Sequence, residues 1–123
     1  MAKIGIFLDD ERNVEDVTWM QYDKDIDWVV VRRVSDFMFA IMHMGEEDFI
    51  ISFDHDLQDF HFYTGKEQTG YDALRWYINY CFESGIVVKK CFFHTQNPIG
   101  KKNMESYYNN AVKFQQGEQD GEH

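Results

Sequence analysis

Lys3-Ile4-Gly5-Ile6-Phe7-Leu8, followed at once by Asp9-Asp10-Glu11-Arg12-Asn13, decides the fold. Ile4, Ile6 and Leu8 alternate with small or aromatic partners, as on a buried strand, and the polar burst marks the loop leaving its carboxyl end. The same grammar recurs at Phe49-Ile50-Ile51-Ser52-Phe53, which runs into Asp54-His55-Asp56. It recurs again where an apolar run from Ile86 to Phe93 meets His94-Thr95-Gln96-Asn97-Pro98. A further strand, Trp28-Val29-Val30-Val31, is read from its β-branched run.

Helical patterns fill the intervals. Val14 to Tyr22 puts Val17 and Met20 on one side of a short helix. Ser35 is a ready N-cap, with Asp36 in the first turn, Phe37, Phe39, Ala40, Ile41 and Met44 following, and Gly45 as the stop. Thr69-Gly70 opens a helix lined by Tyr71, Leu74, Trp76, Ile78 and Phe82, which ends at Ser84-Gly85. Asn97 caps the last helix, with Pro98 at its first position and Met104, Tyr107, Tyr108, Val112 and Phe114 along it. Strands and helices in strict alternation imply an α/β fold: a three-layer, doubly wound parallel sheet of about four strands in the order 2-1-3-4. Residues 1–114 are expected to form a single domain, and the polar stretch 115–123 a frayed tail. Phe60, Phe62 and Tyr63, in a looser stretch, read as core packing, with a lid that stacks on a base as the alternative.

Composition bounds the partners. The chain has 123 residues, 44% hydrophobic and 17% aromatic, enough for one hydrophobic core without staples. Long apolar runs are absent, which excludes a membrane span, and the opening stretch is too short for a secretory signal, which points to the cytoplasm. Cys81 and Cys91 fit no short metal spacing and read as small core hydrophobes. A net charge of -10 repels duplex nucleic acid, so an anionic ligand needs a local basic pocket.

In a parallel sheet of this order the ligand lies outside the carboxyl ends of the strands, where strand order reverses. Three polar bursts meet there. Asp9, Asp10 and Asp54 together are costly without a cation, and a divalent ion with oxygen ligands, Mg2+ above all and Mn2+ as the variant, is the simple remedy. Adjacent strand residues face opposite ways, so Asp9 and Asp10 ligate together only if the chain has already turned into its loop. Glu11, Asp56 and Asp59 divide between ligation and loop solvation. His55 and His94 at the same edge suit acid and base roles, whereas His43 and His61 read as structural. Asn97 and the amides of its helix attract anions, Lys101 and Lys102 sit early in that helix as a bound anion would favour, and Arg12 is a candidate phosphate clamp.

The acidic pair after the first strand, Asp54 after the third and Thr95 after the fourth resemble response-regulator receiver domains, without the fifth, lysine-bearing receiver strand. The fuller string, Leu8-Asp9-Asp10-Glu11-Arg12, Ser52-Phe53-Asp54-His55-Asp56-Leu57, Thr69-Gly70-Tyr71-Asp72 and His94-Thr95-Gln96-Asn97-Pro98-Ile99-Gly100 with Asn103-Met104, is similar to the cyclic-phosphate processing receiver domains of bacterial and phage proteins. That resemblance covers Lys3 to about Tyr108. It implies a Rossmann-like receiver fold, a phosphoesterase role on cyclic or terminal phosphates of nucleotides or RNA, and a site comprising Asp9, Asp10, Asp54, His55, Asp56, His94 and Asn97. The expected protein is therefore a metal-dependent phosphoesterase. Asp9, Asp10 and Asp54 hold the metal, His55, His94 and Asp54 are catalytic, and Arg12, Asn97 and Lys101 bind the phosphate. The alternative is a non-catalytic receiver-like module that binds a phosphorylated ligand or a protein partner.

Overall fold

In the computed structural model, which describes residues 3–45 and 47–120, the apolar runs become one parallel sheet. Its strands are β1 (Lys3–Leu8), β2 (Ile26–Val31), β3 (Phe49–Phe53) and β6 (Cys91–Phe93), in the order β2-β1-β3-β6. This is the expected 2-1-3-4 order. A second sheet of two antiparallel strands, β4 (Asp59–Phe60) and β5 (Glu67–Gln68), stands apart as a hairpin. The helices are α1 (Val34–Met44), α2 (Gly70–Ser84) and α3 (Pro98–Asp120).

Strand periodicity divides the core. Ile6, Leu8, Ile51, Phe53 and Phe93 point to one face, where Phe37 and Ile41 of α1, Leu74 and Tyr77 of α2 and Met104 of α3 bury them. The helices pack in succession, α1 on α2 and α2 on α3. On the other face lie Phe7 and Phe92, covered by Tyr22 and by Trp28 of the edge strand. The helix expected over Val14–Tyr22 is only a 3-10 turn at Val14–Asp16, so irregular chain supplies this layer. Trp19 and Tyr22 spend their polar groups on the sheet, Nε1 on the His94 carbonyl and the hydroxyl at Ser52, and this ties the segment down without a helix.

Other differences have equally local causes. α1 begins at Val34, and its cap comes from far along the chain: the Asp59 carboxylate accepts from the Val34 N–H, so Ser35 is not the N-cap. The fourth strand of the sheet is confined to Cys91–Phe93, because the backbone before it bonds to helix side chains. Gln115 accepts from Val88 N–H and donates to the Ile86 carbonyl, and the Tyr77 hydroxyl accepts from Lys89 N–H. Those bonds also hold α3, which continues to Asp120 beyond the point where a frayed tail was expected. Residues 121–123 lie outside the described residues. Phe60, Phe62 and Tyr63 are exposed on the hairpin, Phe62 at 89% and Tyr63 at 87%, which overturns the core-packing reading. Among the described residues no helix is long and apolar enough to cross a membrane.

Candidate functional site

Register brings the site together. Leu8 pairs with Phe53 and Phe53 with Phe93, so the next residue on each strand, Asp9, Asp54 and His94, comes level. The ladder runs one step further: Asp9 N–H donates to the Val31 carbonyl, Asp54 N–H to Leu8 and His94 N–H to Phe53. All three side chains are buried, and one ligand atom from each lies within 4.8 Å of the others. Above them opens a cleft of about 330 Å³ to which Asp10, Arg12, Asp56, Gln58, Thr95 and Asn97 contribute.

Both oxygens of the Asp9 carboxylate have partners. Oδ1 accepts from Glu11 N–H at 2.9 Å and Arg12 N–H at 2.8 Å, which turns the chain into its loop and frees Asp10 from strand alternation. Oδ2 lies 3.0 Å from His94 Nε2 and 3.5 Å from Arg12 Nη1. Burial alone would raise this carboxyl, but hydrogen bonds from His94, Arg12 and Glu11 outweigh it and hold Asp9 below the ordinary range. Asp54 goes the other way. Burial first, and then the Asp9 charge, push it up despite the His55 N–H that its Oδ1 accepts at 2.8 Å. Asp10 is also raised, by burial and by Glu11, Asp9 and Asp54. Carboxylates that penalise one another, aimed into one cleft with a buried imidazole beside them, are a donor set that suits a hard divalent cation.

Arginines frame this acidic centre. Arg12 bonds Gln96 Oε1 through Nη2 at 3.3 Å and lies 5.3 Å from the Trp19 ring centre. Arg32, which the sequence reading did not single out, donates to the carbonyls of Asp9 and Arg12 and to Asn13 Oδ1, pinning the loop. Its position directly after a strand that neighbours the first was the available signal.

The histidines are set differently from one another. His94 is 0% exposed, stacks on Phe7 with ring centres 4.4 Å apart, and has Nε2 on Asp9 and Nδ1 2.7 Å from Ser52 Oγ. His55 has Nδ1 2.9 Å from Asp56 Oδ1, and its ring lies so close over Gly100 that a Cβ there would come within 2.6 Å. That contact with His55, together with the Asn97 amide, holds Asp56 below the ordinary carboxylate range. Asn97 acts as the expected cap, its Oδ1 accepting from Gly100 N–H at 3.0 Å while its Nδ2 donates to Asp56. Lys101 is not in this cleft. It lies in a separate groove with Met20, Phe92, Glu105 and Tyr108, because Gly100 and Met104 form the inward face of α3 and turn Lys101 aside.

Comparison with known proteins follows the same outline. Residues 4–110 match the family model described as the cyclic-phosphate processing Receiver domain. Neither the curated proteins nor the solved structures returned a match.

Proposed function

The chain belongs to the family of cyclic-phosphate processing receiver domains, and we propose that it is a metal-dependent phosphoesterase acting on the cyclic or terminal phosphate of a nucleotide or an RNA end. The observation that carries this reading is the convergence of Asp9, Asp54 and His94 beneath a cleft shared with Asp10, Arg12 and Asn97. Asp9, Asp10 and Asp54 would hold Mg2+ or Mn2+, which when bound supplies Lewis-acid polarisation of a phosphoryl oxygen and orients water.

The chain's own residues do the rest. Arg12, steadied by Gln96 and Trp19, presents a planar donor edge to nonbridging oxygens, and Asn97 Nδ2 a neutral donor beside it. Asp54 orders the attacking water. His55, whose Nδ1 is taken by Asp56, offers Nε2 as acid or base, while His94 acts through Asp9 because both its nitrogens are engaged.

The engagement of His94 also favours a second reading, in which the cleft binds a phosphorylated ligand without turning it over. Hydrolysis of 2′,3′-cyclic nucleotides and of short RNA with a cyclic-phosphate end, with Mg2+, with Mn2+ and with chelator, separates the two. Metal-dependent turnover that disappears in Asp10→Asn is the expected result. No turnover under any condition, with phosphate ligands still bound, would establish the binding module instead.

The exposed hairpin aromatics bear on substrate choice. The strand β4 follows directly on Gln58 of the cleft and leads to Phe60, Phe62 and Tyr63, of which Phe62 and Tyr63 are the most exposed and offer their faces for a base attached to a bound phosphate to stack on. Replacing both with Ala should raise KM for nucleotide substrates about tenfold, from the 1–3 kcal/mol that stacking a base contributes. Their exposure means that the melting temperature should stay unchanged. An unaltered KM would remove the base from the recognition scheme.

A further inference from the structure

We propose that Tyr22 and Ser52 are positioning residues: their hydroxyls form a directed hydrogen-bond chain that holds His94 as the tautomer protonated on Nε2, and through it aims Asp9 into the cleft. Only the last link, Asp9 as a cation ligand, rests on the proposed function. The rest stands on the geometry of the buried chain.

The Tyr22 hydroxyl lies 2.7 Å from Ser52 Oγ, which lies 2.7 Å from His94 Nδ1, while His94 Nε2 lies 3.0 Å from Asp9 Oδ2. Strand register lines this up, since Phe7, Ser52 and Phe92 are paired neighbours on the face that carries Asp9, Asp54 and His94 two residues later. Ser52, His94 and Asp9 are all fully buried, so water does not compete for the Ser52–His94 and His94–Asp9 bonds.

The Asp9 end sets the direction. Asp9, already accepting two backbone N–H groups on Oδ1, is a carboxylate and can only accept. Nε2 must therefore carry a proton. If Nδ1 is bare, it accepts from the Ser52 hydroxyl, and Ser52 in turn accepts from Tyr22. Each hydroxyl then donates once and every buried polar atom has a partner. The apolar stack of Phe7 against the imidazole at 4.4 Å and the T-shaped Tyr22–Trp28 pair hold the ring and the phenol in place.

The consequence concerns the orientation of the carboxylate. The Nε2–H bond to Oδ2 fixes how the Asp9 carboxylate stands, next to Asp54 and opposite Arg12. Ser52 and Tyr22 thus act on cation affinity without touching the cation, and outer partners of this kind are typically worth ~10–100-fold in metal affinity.

The test is nitrogen-15 NMR of the His94 ring in the full chain, paired with Mn2+ titration, for wild type, Ser52→Ala, Tyr22→Phe and Ser52→Thr. Wild type should show a pyridine-like Nδ1 and a pyrrole-like Nε2. In Ser52→Ala that signature should be lost and Mn2+ binding should weaken about tenfold or more. Tyr22→Phe should shift Nδ1 in the same direction by less, and Ser52→Thr, which keeps a hydroxyl, should restore both readouts. Two pyrrole-like nitrogens, or a proton on Nδ1, would overturn the proposal. So would Mn2+ affinity that is indifferent to Ser52. If wild type binds no Mn2+ yet shows the expected ring signature, lost in Ser52→Ala, the positioning of Asp9 is upheld and it is the cation reading that fails.

Discussion

Asp54→Asn is expected to lose at least about 1000-fold in turnover, equivalent to roughly 4 kcal/mol of transition-state stabilisation at 1.36 kcal/mol per tenfold, and yet to melt higher than the metal-free wild type. The two effects share one cause. Asp54 is buried beside Asp9, and burial together with that like charge raises its carboxyl above the ordinary range. A group whose folded pKa is raised contributes stability that is present below its unfolded pKa and is lost as pH rises through the folded one. Wherever Asp54 is ionised it therefore works against folding. Asparagine removes that charge and keeps a carbonyl oxygen to accept the His55 N–H. Added cation reverses the ranking, because a ligand at 100 times its Kd stabilises the folded wild type by ~2.7 kcal/mol and has no complete site in the variant. Thermal melts at pH 5 and pH 7.5, each with Mg2+ and with chelator, read all of this together. Wild type with chelator should be the more stable at the lower pH as far as Asp54 contributes, and the variant should have lost that part of the pH dependence. A variant that melts lower in chelator while keeping turnover would remove Asp54 from the site.

Most of what places Asp54 is legible in the sequence, because it needs only strand ends. Asp9, Asp54 and His94 each follow the last residue of an apolar run, and a parallel sheet in the order 2-1-3-4 leaves them little choice but to meet. What the sequence hides is decided by partners distant along the chain. Ile86 to Lys90 has a strand-like pattern, yet its backbone groups are taken by Tyr77 and Gln115 from two helices. His94 carries no mark of its burial; that follows from Phe7, Ser52 and Trp19, each on a different element or connection. Lys101 is a different case. Its spacing to Glu105 and Tyr108 places the three on one helical face, but Tyr108 also follows Met104 by one turn on the apolar stripe, so which groove this face borders is decided by the packing of α3 and not by its pattern.

Gly70→Ala is expected to be among the most damaging single substitutions in the chain, with a loss of about 4 kcal/mol or more, the range reached only when backbone or core geometry is broken outright. A Cβ built on Gly70 would fall 1.6 Å from the Asp54 carbonyl oxygen and 3.1 Å from the His55 Cα. These are backbone atoms at the end of β3, so no side-chain rotation relieves the clash, and the Gly70 N–H, which donates to the His55 carbonyl at 2.8 Å, is lost in any retreat. The approach is close because α2 starts directly against the loop that carries the site. Thr69 caps it, accepting from Asp72 N–H while Asp72 Oδ2 accepts from Thr69 N–H. Pushing α2 away would open the helical core at Leu74 and Tyr77; pushing the loop away would move Asp54 off the level of Asp9 and His94. Chemical denaturation measures the first cost and Mn2+ affinity the second. Because a glycine without this contact bears an added methyl easily, Gly117→Ala within α3, which meets nothing within 4 Å, is the matched control and should leave Mn2+ affinity at wild type and stability at wild type or up to ~1 kcal/mol above it, the gain in helix propensity. Near-wild-type stability in Gly70→Ala would mean that the loop carrying Asp54 and His55 can yield, and that α2 does not fix the site's geometry.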